Sequence, residues 1–217
     1  MSKTSSNMFY LGLFLCLVCA AAAGIMGTAA AVTREPIRQA KIQRVSDGLR
    51  QVLPPFDNNP MDEVLNYKDM QFYTAKKAGK IVGYAVRTSV GSGYAGRIEG
   101  LVSFHPDGVI RTFIITGHGE TPGLGSNAAD RVREKTLAGL FRGESAQSGL
   151  PPNRILDQYA GHSALQKDVW KQPWKVKKDG GDAEYITGAT ISSRAVNELA
   201  WKAASAFETL RKGGKKP

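Results

Sequence analysis

The strongest constraint on this chain is a long stretch without charge. From Met8 to Val32 there is no Asp, Glu, Lys or Arg. As an α-helix, this run exceeds the ~20 residues needed to cross the hydrocarbon core of a bilayer. A secretory signal peptide is the rival reading, with Ala29-Ala30-Ala31 as a cleavage site. The apolar core of a signal peptide is usually only ~7–15 residues, so length favours an uncleaved anchor. The chain then divides into a short N-terminus (1–7), a membrane helix (8–32) and a larger domain beyond. Local charge does not settle orientation. Lys3 and the amino group flank one side, and Arg34, Arg38, Lys41 and Arg44 flank the other. Read naively, this bias places the large domain in the cytoplasm, but the rule weakens when a long domain must cross.

Both cysteines, Cys16 and Cys19, lie inside the apolar run. At i, i+3 they share a helix face. They serve there as small apolar residues, or as half of a metal or iron–sulfur site completed by a partner protein. A cluster needs about four ligands, and this chain offers two. With no other cysteine, the domain has no disulfide. His105, His118 and His162 are dispersed, without metal-ligand spacing, and no metal site is expected. No G-x-S-x-G nucleophile elbow occurs, which leaves a hydrolase little support.

The formal net charge is +10. The excess is scattered over Arg131–Lys135, Lys167–Lys178 and Arg211–Lys216, without the interleaved aromatics of a nucleic-acid module, so no nucleic-acid partner is expected. In a tethered chain this charge suits lipid headgroups or acidic partners. A solvated surface is the plainer alternative.

Hydrophobic spacing outlines the rest. Ile37, Ala40, Ile42, Val45 and Leu49 have helical spacing up to Pro54-Pro55. Residues 33–60 thus read as a linker and a lead-in helix. Strand-like runs cover Ile81–Thr88, Ile98–His105 and Val109–Thr116, the last two flanking the Pro106-Asp107-Gly108 turn of a hairpin. Ser126–Phe141 reads as a helix through Ala129, Val132, Leu137 and Leu140. A final helix spans Arg194–Leu210, with Ser192 and Ser193 as N-caps. Residues 213–217 form a frayed tail. Strands followed by helices argue for an α+β fold with an antiparallel sheet and packed helices.

Three short motifs carry possible chemistry. Gly91-Ser92-Gly93-Tyr94-Ala95-Gly96 matches G-x-G-x-x-G, but strand-like residues follow it where a dinucleotide site needs a helix. A turn between strands fits better. His118-Gly119-Glu120-Thr121-Pro122-Gly123-Leu124-Gly125 joins a strand to a helix through a stiff Gly/Pro backbone that a flat ring can approach. Taken alone it reads first as a rigid strand-to-helix connector. Thr187-Gly188-Ala189-Thr190-Ile191-Ser192-Ser193 runs into the final helix, where free N–H groups attract phosphate. Taken alone it reads as ordinary capping chemistry.

Together, the second and third motifs resemble an FMN-binding family. That family includes the G subunit of the Rnf electron-transport complex and the C subunit of the sodium-translocating NADH:quinone oxidoreductase. Its pattern is an S/T-G-A-T attachment motif, an upstream E-T-P-G-L-G loop and a single N-terminal membrane helix. All three occur here, and Tyr94-Ala95-Gly96 is similar to a G-Y-x-G segment before the family's hairpin. The likeness runs from about Gly93 to Phe207, and the compact spacing is closer to the Rnf protein. One departure is Glu184, where the family often has Asp.

The resemblance implies an FMN-binding domain over 61–212 (core 93–207). It implies FMN joined by a phosphoester to Thr190, installed by a flavin transferase. Thr187, Gly188, Ala189, Ser192, Ser193, His118, Glu120, Thr121, Pro122, Gly123, Leu124 and Gly125 are the expected cofactor contacts. It further implies a cytoplasmic N-terminus, a domain on the outer face of a bacterial inner membrane, and partner subunits of a complex linking ferredoxin and NAD to ion translocation. No independent substrate site is expected in this chain. A stand-alone membrane flavoprotein feeding a respiratory chain, and a tethered adaptor with a vestigial flavin motif, remain alternatives.

Overall fold

A computed structural model describes residues 3–131, 149–164 and 170–213, with side chains from residue 8. It forms two compact units, residues 1–44 and 45–217.

The first unit is helical. Helix α1 spans Lys3–Val52 and reaches into the second unit. α1 is continuous through Pro36, so the expected membrane helix and lead-in helix lie on one element. Part of α1 is long and apolar enough to cross a membrane. Its large apolar side chains, including Phe9, Leu13, Phe14 and Ile25, are exposed. Thr28 and Thr33 donate their hydroxyls to carbonyls of the preceding turn. That leaves these polar groups satisfied without water, as a bilayer interior requires. Both cysteines are free and exposed.

The second unit is built on one antiparallel sheet: β1 (Leu65–Tyr67), β2 (Met70–Lys77), β3 (Lys80–Gly93), β4 (Gly96–Phe104) and β5 (Ile110–Gly117). Spatial order equals chain order. The expected hairpin is β4–β5, with Val102 opposite Phe113 and Gly108 at φ +95° in its turn. Alternation sorts neighbours onto opposite faces. Phe72, Val102 and Phe113 point to one core, and Tyr73, Leu101 and Ile114 to another. The second core is closed by Val45, Leu49, Val52 and Leu53, from the end of α1 and just beyond it. Gly48 permits this approach, since a Cβ there would sit 2.7 Å from Leu101 Cδ1.

The larger core is covered by the final helix, α4 (Thr190–Lys212). Its Ala195, Val196, Leu199, Ala200, Ala203 and Phe207 are buried. Phe207 stacks on Phe104 at 4.6 Å between centroids and meets Tyr84 edge-on. Two short α-helices, α2 (Ser126–Ala129) and α3 (Arg154–Asp157), and a 3₁₀ turn complete the described elements. The helix expected over Ser126–Phe141 is therefore corrected. It makes one turn and stops at Asp130, which is extended at φ −87°, ψ 139°. Arg131 then anchors the chain by donating to the Phe113 and Pro151 carbonyls and pairing with Asp157. Residues 132–141, and nearly all of the expected tail, lie outside the described residues.

Candidate functional site

The site forms where α4 begins. Thr190 is the first residue of this 23-residue helix, and Ala189 occupies the cap position without a side-chain cap. The expected caps, Ser192 and Ser193, instead lie within the first turn. Their hydroxyls bond elsewhere, Ser193 to nearby backbone and Ser192 to a distant loop. Ser193 Oγ donates to Ala189 O at 3.0 Å and accepts from Ile186 N–H at 3.1 Å. Ser192 Oγ donates to Glu120 Oε2 at 2.5 Å. A capping side chain in place of Ala is usually worth about 1 kcal/mol of helix stability. Without one, the positive pole of α4 is open to an anion. Gly188 leads into it at φ +88°, a conformation that favours glycine.

Beside Thr190 lies a 3₁₀ turn, Lys177–Asp179. Lys178 Nζ is 3.4 Å from Thr190 Oγ1. Both carboxylate oxygens of Asp179 accept from Arg194, at 2.7 and 2.5 Å, which ties the turn to α4. The Arg194 guanidinium holds the Asp179 carboxyl below its usual range. Lys177 does the same for Glu184. Nothing in the sequence marks Lys178 as different from its basic neighbours in Lys167–Lys178. Only the fold of the 3₁₀ turn singles it out.

The His118–Gly125 loop packs against this turn of α4. Leu124 N–H and Ser126 N–H both donate to Thr121 O at 3.2 Å, and Gly123 N–H donates to Ser126 Oγ at 2.9 Å. His118 accepts from Glu120 N–H through Nδ1 and meets Asp130 at 2.8 Å through Nε2. Leu124 Cδ2 lies 3.8 Å from where a Cβ on Gly188 would be. Two motifs far apart in the chain thus share one small region.

The expected contact residues fall into two groups. Thr187, Gly188, Thr121, Pro122, Gly123 and Leu124 are exposed, and Thr190 and His118 are half-buried. Ala189, Ser192, Ser193, Glu120 and Gly125 are buried. Glu120, expected to add hydrogen-bonding capacity at the ring, turns its carboxyl into the protein. Tyr94 at 68% exposure, Leu124 at 50% and Ile191 at 45% are the exposed large apolar side chains among the described residues after Arg44. Tyr94 belongs to the G-x-G-x-x-G segment, which forms the β3–β4 hairpin turn and opens no helix.

Chemically, an accessible hydroxyl at an uncapped helix pole with an ammonium beside it suits a phosphate ester. An exposed Leu on a Gly/Pro turn suits the face of a planar ring. The residues present therefore fit an FMN group.

Comparison with known proteins agrees. The model of the FMN-binding domain matches residues 93–205. The chain is 30% identical to the G subunit of the ion-translocating oxidoreductase complex of Erwinia tasmaniensis, over 92% of this chain and 89% of that one. It is 29% identical to the protein of the same description in Vibrio cholerae serotype O1, over 85% and 83%. It is 28% identical to the G subunit of the Na(+)-translocating ferredoxin:NAD(+) oxidoreductase complex of Acetobacterium woodii, over 94% of each. The chain belongs to the FMN-binding domain family, alongside the G subunits of ion-translocating oxidoreductase complexes.

Proposed function

We propose that this chain is a covalently flavinylated electron carrier, anchored by α1, in a membrane complex that couples electron transfer between ferredoxin and NAD to ion translocation. The observation that carries the attachment is the Thr190 hydroxyl, at the uncapped first residue of α4 and 3.4 Å from Lys178 Nζ. A separate flavin transferase would act on FAD. The Thr190 oxygen forms the new P–O bond, the diphosphate bond breaks, AMP leaves and the hydroxyl proton is lost to solvent.

FMN supplies one- and two-electron redox chemistry when bound. The chain's own residues supply placement. Lys178 gives the phosphate a counter-charge, and the Asp179–Arg194 pair holds the lysine's turn against α4. Thr121, Pro122, Gly123 and Leu124 offer the ring a stiff polar edge and one apolar cover. The pole of α4 contributes only ~0.3–1 kcal/mol toward an anion, rising to ~2 when partly buried. That is too little to retain a diffusible cofactor where free flavin is scarce, which gives the covalent bond its purpose.

The domain works on the outer face of a bacterial cytoplasmic membrane, with Met1 inside. Its partners are the other subunits of the complex, the flavin transferase and membrane lipid. The test is denaturing gel fluorescence of the full-length chain, co-expressed with a flavin transferase. A fluorescent band in the native chain is expected, and a dark band would leave only the adaptor reading. A periplasm-dependent reporter fused after Pro217 should be active. Activity of a cytoplasmic reporter alone would reverse the topology.

A further inference from the structure

Glu120 is the only buried carboxyl among the described residues, at 5% exposure. An ionised carboxylate is costly to remove from water unless it is hydrogen-bonded. Here both oxygens accept. Oε2 takes the Ser192 hydroxyl at 2.5 Å, and Oε1 takes Ala95 N–H at 3.3 Å. Its own N–H donates to His118 Nδ1. Through these bonds one side chain joins three segments that are distant in sequence: the β3–β4 turn, the His118–Gly125 loop and the first turn of α4.

The surrounding backbone leaves room for this carboxyl and little else. A Cβ on Gly93 would fall 2.4 Å from Gly96 O across the hairpin and 2.6 Å from Glu120 Oε1. A Cβ on Gly125 would fall 2.5 Å from Glu120 Oε2 and 2.6 Å from Ser192 Oγ. Two glycines, one at the end of β3 and one at the end of the His118–Gly125 loop, thus border the same buried junction. Anionic charge also suits this place, because the first turn of α4 carries a partial positive charge.

We infer that Glu120 is a positioning residue: its buried carboxylate locks the first turn of α4, and with it Thr190, to the Thr121–Gly125 loop, and it does not itself touch the cofactor. The inference rests on Thr190 being the flavin attachment point. Attachment and ring environment would then share one support. Loosening the Ser192 bond frees the hydroxyl that the transferase must find, and it also shifts the loop that borders the ring. A carboxyl serving only as a ring contact would leave the helix end undisturbed.

The experiment uses the full-length chain in detergent with a purified flavin transferase and FAD. It compares Ser192→Ala, Glu120→Gln, Glu120→Ala and the double Glu120→Ala/Ser192→Ala variant. Three readouts are taken: the flavinylation rate, amide exchange over residues 190–194, and the flavin midpoint potential. Ser192→Ala should slow flavinylation several-fold, speed exchange in that turn and displace the midpoint, with the flavin still on Thr190. Glu120→Gln keeps one acceptor and should fall between wild type and Glu120→Ala. The double variant should match Glu120→Ala, because both remove the same bond. Wild-type exchange and rate in Ser192→Ala and Glu120→Gln would overturn the inference, as would additive losses in the double variant. Should Glu120→Ala fail to fold, Ser192→Ala and Glu120→Gln decide between them. If the wild-type chain takes no flavin, the attachment reading fails. The exchange readout then still accepts or rejects the Glu120–Ser192 lock.

Discussion

The two ends of α4 are built from different chemistry. Toward its C-terminal end, Ala203, Phe207 and Leu210 are sealed against the sheet, and Phe207 lies flat on Phe104. At its N-terminal end the buried side chains are small or polar. Ser192, Ser193 and Glu120 bond to one another or to backbone, and Ile191 in the same turn is exposed. One end is held by apolar contact and the other by a few directed hydrogen bonds. A helix fixed firmly at one end can carry an uncapped, reactive first turn at the other. Stability and cofactor chemistry should therefore be separable along a single element.

The largest effect belongs to the sealed end. Phe207→Ala removes the stack on Phe104 and the edge contact with Tyr84, and should cost ~3–5 kcal/mol of stability in chemical denaturation. Whatever remains folded should still accept flavin on Thr190. Next comes Gly125→Ala, which forces a methyl onto the Glu120–Ser192 bond. Overpacking of this kind costs ~1–3 kcal/mol. Here flavin content should fall together with thermal stability, because the methyl strikes the reactive end. Equal stability loss with full flavin content would break the division between the two ends.

Leu124→Ala and Thr121→Ala are milder. Both residues are exposed, so stability and flavin content should stay near wild type while the potential moves in redox titration. Each ~30 mV of a two-electron couple is worth ~1.4 kcal/mol. Unchanged potentials in both variants would make the loop a connector only. The smallest effect is acid sensitivity of the Asp179–Arg194 tie. Arg194 lowers the Asp179 carboxyl pKa in the folded state. The tie is therefore intact above the ordinary Asp range and is lost as pH falls below it, through the depressed value. Amide exchange over residues 177–180 should quicken only in that acid window, and Asp179→Asn should abolish the dependence.

Legibility in the sequence differs between the two ends as well. The apolar period of α4 and the Pro-Asp-Gly hairpin are readable because period and turn chemistry are local. The start of α4 misleads. Ser192 and Ser193 have cap-type side chains, but Ser192 bonds Glu120 from a distant loop and Ser193 bonds back to Ala189 and Ile186. The Ser126 helix looks longer than it is because its apolar spacing continues past Asp130, where the chain turns extended so that Arg131 can bond Phe113 and Pro151. Strands β1 and β2 carry too weak a pattern to stand out, and β3 runs on through Gly91–Gly93, which has the composition of a turn. The inward carboxyl of Glu120 and the reach of Lys178 toward Thr190 leave no trace in residue spacing, since both depend on segments brought together by the sheet.

The chemistry proposed for this protein is concentrated at one hydroxyl. Peptide mass spectrometry of the full-length chain, purified after co-expression with a flavin transferase, tests it directly. An FMN-sized mass addition on Thr190 is expected, lost entirely in Thr190→Ala and reduced but not relocated in Thr187→Ala. An addition on Thr187 or Ser192, or an unmodified Thr190 peptide from protein exposed to active transferase, would contradict it.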